Sequence, residues 1–226
     1  MSTALLLLAG SIDESRLAGA SASIVAPPGA EWLTAHRASD DPLAATAYGS
    51  RWPYSAVVSI DAPGAPIADA VTAATEVLAH LGDAVDRAGS TAVVGSTHRI
   101  IDGRTEVALV YAIHRIEGIT NEQYRTHWLG QHGPLAKELV PTEGYEQLHA
   151  DVDASARLNA ALGLDDSALD GVATCFFRNR DDFAAMLTAR ESSLDMNRIY
   201  EDELRFLDHG RSVGAMVRTT GSAGTR

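Results

Sequence analysis

Apolar residues come along this chain in short runs, separated by longer stretches in which they recur every three or four positions. That alternates strands with amphipathic helices and points to an α/β or α+β class. The run Ala4 to Ala9 is read as a buried first strand, being too short and too poorly flanked by basic residues for a signal peptide or a membrane span. Ser21 to Ala26 reads as a further short strand broken by Pro27-Pro28-Gly29, Ala30 to Arg37 as weakly helical, and Ala38 to Pro53 as irregular. Tyr54 to Ile60 is β-rich, Ile67 to Ala88 carries a helical stripe through Val71, Ala74, Val77, Leu78, Leu81 and Val85, and Ala92 to His98 is β-like.

The second half repeats this order with stronger signals. Val107 to Arg115 reads as a strand, Asn121 to about His132 as a helix ended by Gly133-Pro134, and Tyr145 to Asp151 as a strand. Val172 to Arg178, a broken helix over Asp181 to Phe206, and a strand over Ser212 to Arg218 follow. Each half fits a split β-α-β unit of about 100 residues, and two such units pack sheet to sheet. The division expected is one unit over 1–100, a second over 105–219, the Asp102-Gly103 turn between them, and a frayed tail over 220–226.

Within the helix from Asn121, Thr120 and Gln123 have the spacing of a capping box. Tyr124, His127, Trp128, Gln131, His132 and Leu135 fall on one broad face. Two histidines with two large aromatics suggest a cavity wall; the alternative is a polar helix edge anchored by Trp128. On an ideal helix His127 and His132 stand about 140° apart, which keeps them from sharing one ion. On the strand, Tyr145, Gln147, His149 and Asp151 alternate onto one face, either toward a ligand or, as an edge strand, toward water.

The segments IHRIEGITNEQYRTHWLGQHGPLAKEL, GYEQLHAD, DGVATCFFRNRDDF and EDELRFLDHGRS together resemble the EthD family of the dimeric α+β barrel superfamily. The positions that carry the resemblance are Tyr124, Trp128, His132, Pro134, Tyr145, His149, Asp202, Phe206, Asp208 and His209. They lie between about residues 107 and 218, and the first half lacks the His-Gly-Pro element. The resemblance implies an α+β fold in which tandem ferredoxin-like units, the first degenerate, form a single-chain barrel as a pseudo-dimer. The family includes dehydratases and cyclase-like enzymes of aromatic polyketide pathways, lactone isomerases, and a founding member associated with ether degradation, so membership alone leaves the reaction open.

The formal charge of −12 with no offsetting basic cluster argues against nucleic acid and anionic membranes as partners. The single cysteine, Cys175, sits in an apolar run and reads as a small buried hydrophobe. No other long apolar stretch exists, so a soluble, cytoplasmic protein is expected. No dinucleotide, phosphate-loop or nucleophile-elbow motif is present, nor a dense group of metal ligands, and no cofactor is expected. A haem barrel, with His132 or His149 as axial ligand, stays as a minor alternative.

The expected catalytic residues are His132, placed at a helix C-terminus where it could act as a general acid, together with His149 and Tyr145. Tyr124, His127, Trp128, Gln147 and Arg115 are the candidate substrate-binding residues, and Tyr124, His127 or Trp128, His132, Tyr145 and His149 are expected around one cavity. Arg115 and His114 could meet a carboxylate or phenolate but read more readily as solvated charges at a strand end, and His209 after Asp208 reads either as oriented by a neighbouring carboxylate or, equally, as a surface pair. The leading function is a cofactor-independent lyase, cyclase or isomerase acting on a small aromatic or polyketide-like carbonyl compound. The competing one is a non-catalytic carrier of a hydrophobic metabolite for an oxygenase. Homodimerisation through an apolar face of the helix from Ile67 is kept open.

Overall fold

In the computed structural model, residues 2–22, 29–37, 52–190 and 193–223 are described. Eight antiparallel strands close into one barrel. The first four are β1 (Ser2–Gly10), β2 (Glu31–His36), β3 (Ala56–Ala62) and β4 (Val85–Ile101). They are followed by β5 (Val107–Ile113), β6 (Gly144–Ala150), β7 (Gly171–Phe177) and β8 (Val213–Ala223). Around the barrel the order is β1-β3-β2-β8-β5-β7-β6-β4. Read by halves, β4-β1-β3-β2 and β8-β5-β7-β6 have the same ferredoxin-like order. The halves meet where β2 pairs with β8 and β4 with β6.

The uninterrupted run in β1 follows from its place in this barrel. Leu5 and Leu7 point to the interior, while Ala4, Leu6 and Leu8 point to the helices outside, so both faces are buried. The interior is completed by Ala108, Val110 and Ala112 of β5, Leu148 and Ala150 of β6, and Val172 and Phe176 of β7. An ion network lies at one end: Arg104 reaches both Asp61 (2.6 Å) and Glu146 (2.9 Å), and Asp61 also accepts from Thr3 at 2.7 Å.

Seven helices wrap the barrel among the described residues: α1 (Glu14–Ala22), α2 (Ile67–Leu81), α3 (Asn121–His127), α4 (Gly133–Leu139), α5 (Val152–Leu162), α6 (Arg180–Arg190) and α7 (Leu194–Glu203). Several expectations are corrected. Ser21 and Ala22 end α1, whose start is held by Asp13 Oδ1 accepting from Arg16 N; the rest of 23–28 and all of 38–51 lie outside the described residues. Residues 31–36 form β2 rather than a helix, because pairing with β3 and β8 decides so short a segment. α2 stops at Leu81, since Gly82 turns the backbone to φ 54° and β4 begins three residues later. Its stripe of Ala70, Ala73, Ala74, Val77 and Leu78 is buried in the cluster between the sheet and the helices. The tail is paired at least to Ala223, opposite Trp32, so the frayed segment expected from 220 is a strand as far as it is described.

α5 escaped the pattern reading although it carries its own punctuation. Asp151 caps it by accepting from Ala154 N, and Gly163 closes it at φ 66°. Its Asn159 exchanges both side-chain hydrogen bonds with the backbone of Ala92, and Ser155 bonds Val94, so the helix takes the place of a missing strand partner along β4.

Candidate functional site

The capping box is present as read: Thr120 Oγ1 accepts from Gln123 N, and Gln123 Oε1 accepts from Thr120 N. The helix does not end at Gly133-Pro134. It passes through a π turn, Trp128–His132, in which Gly133 N donates to Trp128 O five residues back, and continues as α4 to Leu139. Pro134 fits because it falls in the first turn of α4. His132 is therefore not at a helix C-terminus.

The π turn also changes which side chains face together. A wider turn brings residues five apart into line, so His127 and His132 both reach one carboxylate on α7. His127 Nε2 lies 2.9 Å from Asp202 Oδ1, and His132 Nδ1 lies 3.0 Å from Asp202 Oδ2. The expected separation of the two histidines is overturned by this geometry. Burial alone would raise the Asp202 carboxyl, but the hydrogen bonds and charge of His132 and His127 outweigh it and hold the group below its ordinary value. Phe206 packs between the two rings, at 5.2 Å from His127 and 5.1 Å from His132. Gln131 is exposed and leaves the proposed face.

On the other wall stands Tyr145 of β6. Its hydroxyl oxygen accepts from Trp128 Nε1 at 3.0 Å and from Gln147 Nε2 at 3.1 Å. With both lone pairs engaged, the phenolic proton is the part left for a further partner, and burial drives the phenol well above its ordinary value, so it stays a neutral donor. Gln147 also donates to Trp128 O at 3.1 Å, and its Oε1 faces His149 Nε2 at 3.1 Å. His149 is pushed down to about 3 by burial, with His98 and Arg125 adding to the effect, so its ring is neutral and Nε2 carries the proton it gives to Gln147. Gly133 makes room for the amide: a Cβ there would stand 3.3 Å from Gln147 Nε2.

Between these walls lies a cavity of about 70 Å³. It lies under the helices of the second unit, outside the barrel interior. Trp128, His132 and Tyr145 line it with Tyr111, Cys175, Phe177, Met186, Met196, Glu203 and Phe206. His132 is buried, and with Nδ1 on Asp202 its Nε2 is the nitrogen left for a ligand. Burial pushes the Cys175 thiol up to about 12, with the charge of Glu203 adding, which suits the inert reading.

Of the eight residues read from the sequence, three line the cavity and five do not. His149 lies on the same sheet face but is shut off by Trp128, whose ring stacks on it at 4.6 Å and 5°, and it opens instead beside His98 and Arg125. Gln147 is fully buried behind Tyr145. Tyr124 packs its ring on Trp128 and Phe206. His127 stands behind Asp202. Arg115 is tied to Asp170 through its guanidinium and backbone N, and to Ile119 O, so it holds the β5–α3 connection. Of the residues expected around one cavity, Trp128, His132 and Tyr145 line it, while Tyr124, His127 and His149 stand in the layer behind it. Asp202 and Glu203, adjacent at the end of α7, were the residues whose roles the sequence reading did not separate. Asp202 was visible only as part of the family resemblance, and Glu203 carried no signal beyond its neighbour.

Among the described residues no group of three or more histidine, cysteine or carboxylate side chains could hold a metal. The two candidate haem ligands lie on different cavities, His132 on this one of about 70 Å³ and His149 on another beside His98 and Arg125. No helix among the described residues is long and apolar enough to cross a membrane.

The architecture is that of an α+β barrel made from two ferredoxin-like units in one chain. Residues 116–210, within the second unit that holds the cavity, match the family model of the EthD domain. Solved structures share the whole fold at low identity. An anthrone oxidase-like protein has a TM-score of 0.63 at 11% identity, with 99% of this chain and 92% of that one covered. A candidate monooxygenase from Lactobacillus acidophilus NCFM has 0.57 at 10%, covering 99% and 95%. A mutant chlorite dismutase from Candidatus Nitrospira defluvii has 0.52 at 13%, covering 97% and 92%. No curated protein matches in sequence.

Proposed function

We propose that this protein is a cofactor-independent acid/base enzyme, a lyase, cyclase or isomerase, acting on a small aromatic or polyketide-like carbonyl compound. The observation that carries the reading is that His132 Nε2 and the Tyr145 hydroxyl stand together on the lining of a largely apolar cavity. Each is fixed from behind, so neither must reorganise when charge develops on a ligand. Tyr145 donates to the carbonyl oxygen, while Trp128 and Gln147 bonded to its own oxygen support the negative charge it takes on. His132 moves the proton through Nε2, and Asp202 fixes its tautomer and balances the ring when it is charged. His149 and Gln147 then act as positioning residues, in place of the direct catalytic and binding roles expected from the strand pattern.

The cavity is smaller than the roughly 150 Å³ that accommodates benzene. A ring compound enters by displacing Met186 and Met196, whose unbranched side chains yield more cheaply than the Trp128 wall. The anthrone oxidase-like relative supports a ring-bearing substrate by analogy of fold alone.

The test is dehydration of the aldol of acetone and benzaldehyde to its conjugated enone, followed by near-ultraviolet absorbance. The expected result is acceleration by the wild type, a loss of about 10²- to 10⁴-fold in a folded His132→Ala variant, and a smaller loss in Tyr145→Phe. Binding of the enone without turnover, or turnover indifferent to His132→Ala, overturns the acid/base reading; the first outcome leaves the non-catalytic carrier.

A further inference from the structure

A second set of titratable groups reaches the same cavity from the other side of α7. Glu203 lines it, with about a fifth of its side chain accessible. Its Oε2 stands 3.4 Å from His209 Nε2, and His209 Nδ1 stands 3.3 Å from the Tyr111 hydroxyl, which lines the cavity as well. Glu203 shares the lining of this cavity with Tyr145 and Cys175 of its sheet wall, and its negative charge adds to the upward push of burial on both groups.

The backbone around this group is pinned. Ile116 N donates to Phe206 O at 3.0 Å, Asp208 N donates to His114 O at 2.8 Å, and Leu207 bridges to Arg115. Asp208 is occupied within its own turn, accepting from Gly210 N and Arg211 Nε, so Glu203 rather than Asp208 orients His209. Two consecutive residues at the end of α7 thus aim at different histidines. Asp202 holds His132, and Glu203 lines the cavity with His209 beside it.

We infer that Glu203 is a second catalytic residue of this cavity, the base that removes a proton from the carbon next to a ligand's carbonyl, so that the site works on substrates needing proton transfer at two positions. This deepens the acid/base reading and rests on it. The Glu203 carboxylate takes the proton, the C–H electron pair becomes the carbon–carbon double bond of the enolate, and the carbonyl π pair moves to the oxygen held by Tyr145. In a β-hydroxy ketone the enolate pair returns, the C–O bond to the β-hydroxyl breaks, and that oxygen leaves as water with the proton from His132. The protons gained by Glu203 and lost by His132 balance, and exchange with water resets both. The substrate class is therefore a β-hydroxy carbonyl compound or one that is isomerised by a proton shift between two carbons.

The acetone–benzaldehyde aldol reports both events on one molecule: α-proton exchange in D₂O by NMR, and dehydration by absorbance. Glu203→Gln is expected to lower both by about 10²-fold or more, while His132→Ala lowers dehydration and keeps exchange. Glu203→Asp, which withdraws the carboxylate by one methylene, is expected to fall between, and it serves if the glutamine variant does not fold. A Glu203 variant that is folded and retains exchange overturns this inference while leaving the role of His132 intact. Wild-type protein that neither exchanges nor dehydrates the aldol overturns both.

Discussion

The two ferredoxin-like units share one strand order and differ in what lies between sheet and helices. Under α1 and α2 the buried cluster consists of alanine, leucine, valine and isoleucine, from Ala4 and Leu6 to Val77 and Leu78. Under α3, α4 and α7 the corresponding layer holds Tyr111, Tyr124, Trp128, Tyr145 and Phe206, with His132, Gln147, His149 and Asp202 buried among them. Small aliphatic side chains interdigitate and fill space; large rings tied to one another by hydrogen bonds stand off and leave a cavity. One unit thus serves as scaffold and closes the barrel, and the other carries the polar groups of the site.

The sharpest way to break this contrast is at Gly171, where an added Cβ would stand 2.5 Å from the Trp128 ring, 2.7 Å from Leu148 O and 2.9 Å from the Tyr124 hydroxyl. Backbone cannot yield there, so Gly171→Ala is expected to cost about 3 kcal/mol or more in urea unfolding. Gly130→Ala in the π turn meets nothing within 4 Å and should leave the fold in place. Next come Trp128→Ala and Leu78→Ala, each expected to cost about 2–5 kcal/mol because both side chains are fully buried. Only the first should also remove turnover of the aldol, since Trp128 holds Tyr145 and Leu78 holds the scaffold.

The layers differ in acid as well. His149 has its pKa lowered to about 3 by burial, then by His98 and Arg125. Between the ordinary histidine value of about 6.5 and that value, the unfolded chain binds a proton that the folded chain refuses, so stability falls as pH falls through this window. Asp202, held below its ordinary value, adds its own loss at lower pH, beneath about 4. Melting temperatures from pH 7 to pH 4.5 should therefore decline in the wild type and decline less in His149→Gln. The smallest effect is expected at His127. It shares Asp202 without lining the cavity, so His127→Gln should lower turnover by less than about tenfold and leave the pH of the optimum in place.

What could be read from the chain was what depends on neighbours in sequence. The capping box at Thr120, the shared face of Tyr145, Gln147 and His149, and the strand and helix order of the second half are local patterns of period 2 or 3.6. The π turn breaks that arithmetic. An extra residue per turn set His127 and His132 on one carboxylate, and nothing in Trp128–His132 marks it apart from the Gly133-Pro134 that read as a stop. The aromatic layer that divides His149 from His132 is also a matter of packing, since the strand pattern gives a side chain's face and not what stands between it and its neighbour. Glu203 needed the tertiary fold, because a carboxylate at a helix end acquires meaning only from the wall it meets. In the first half, β2 looked helical because a six-residue segment takes its conformation from β3 and β8.

Ligands enter the helix layer of the second unit in the proposed function, and the methionine methyl groups report such entry directly. Met186 and Met196 line the cavity, whereas Met216 packs in the adjoining cluster without lining it. In protein labelled with ¹³C at the methionine methyls, titration with the enone of the acetone–benzaldehyde aldol is expected to shift Met186 and Met196 together, saturably, with a smaller change at Met216. Saturable binding that leaves Met186 and Met196 unmoved would contradict it and place the ligand elsewhere in the protein.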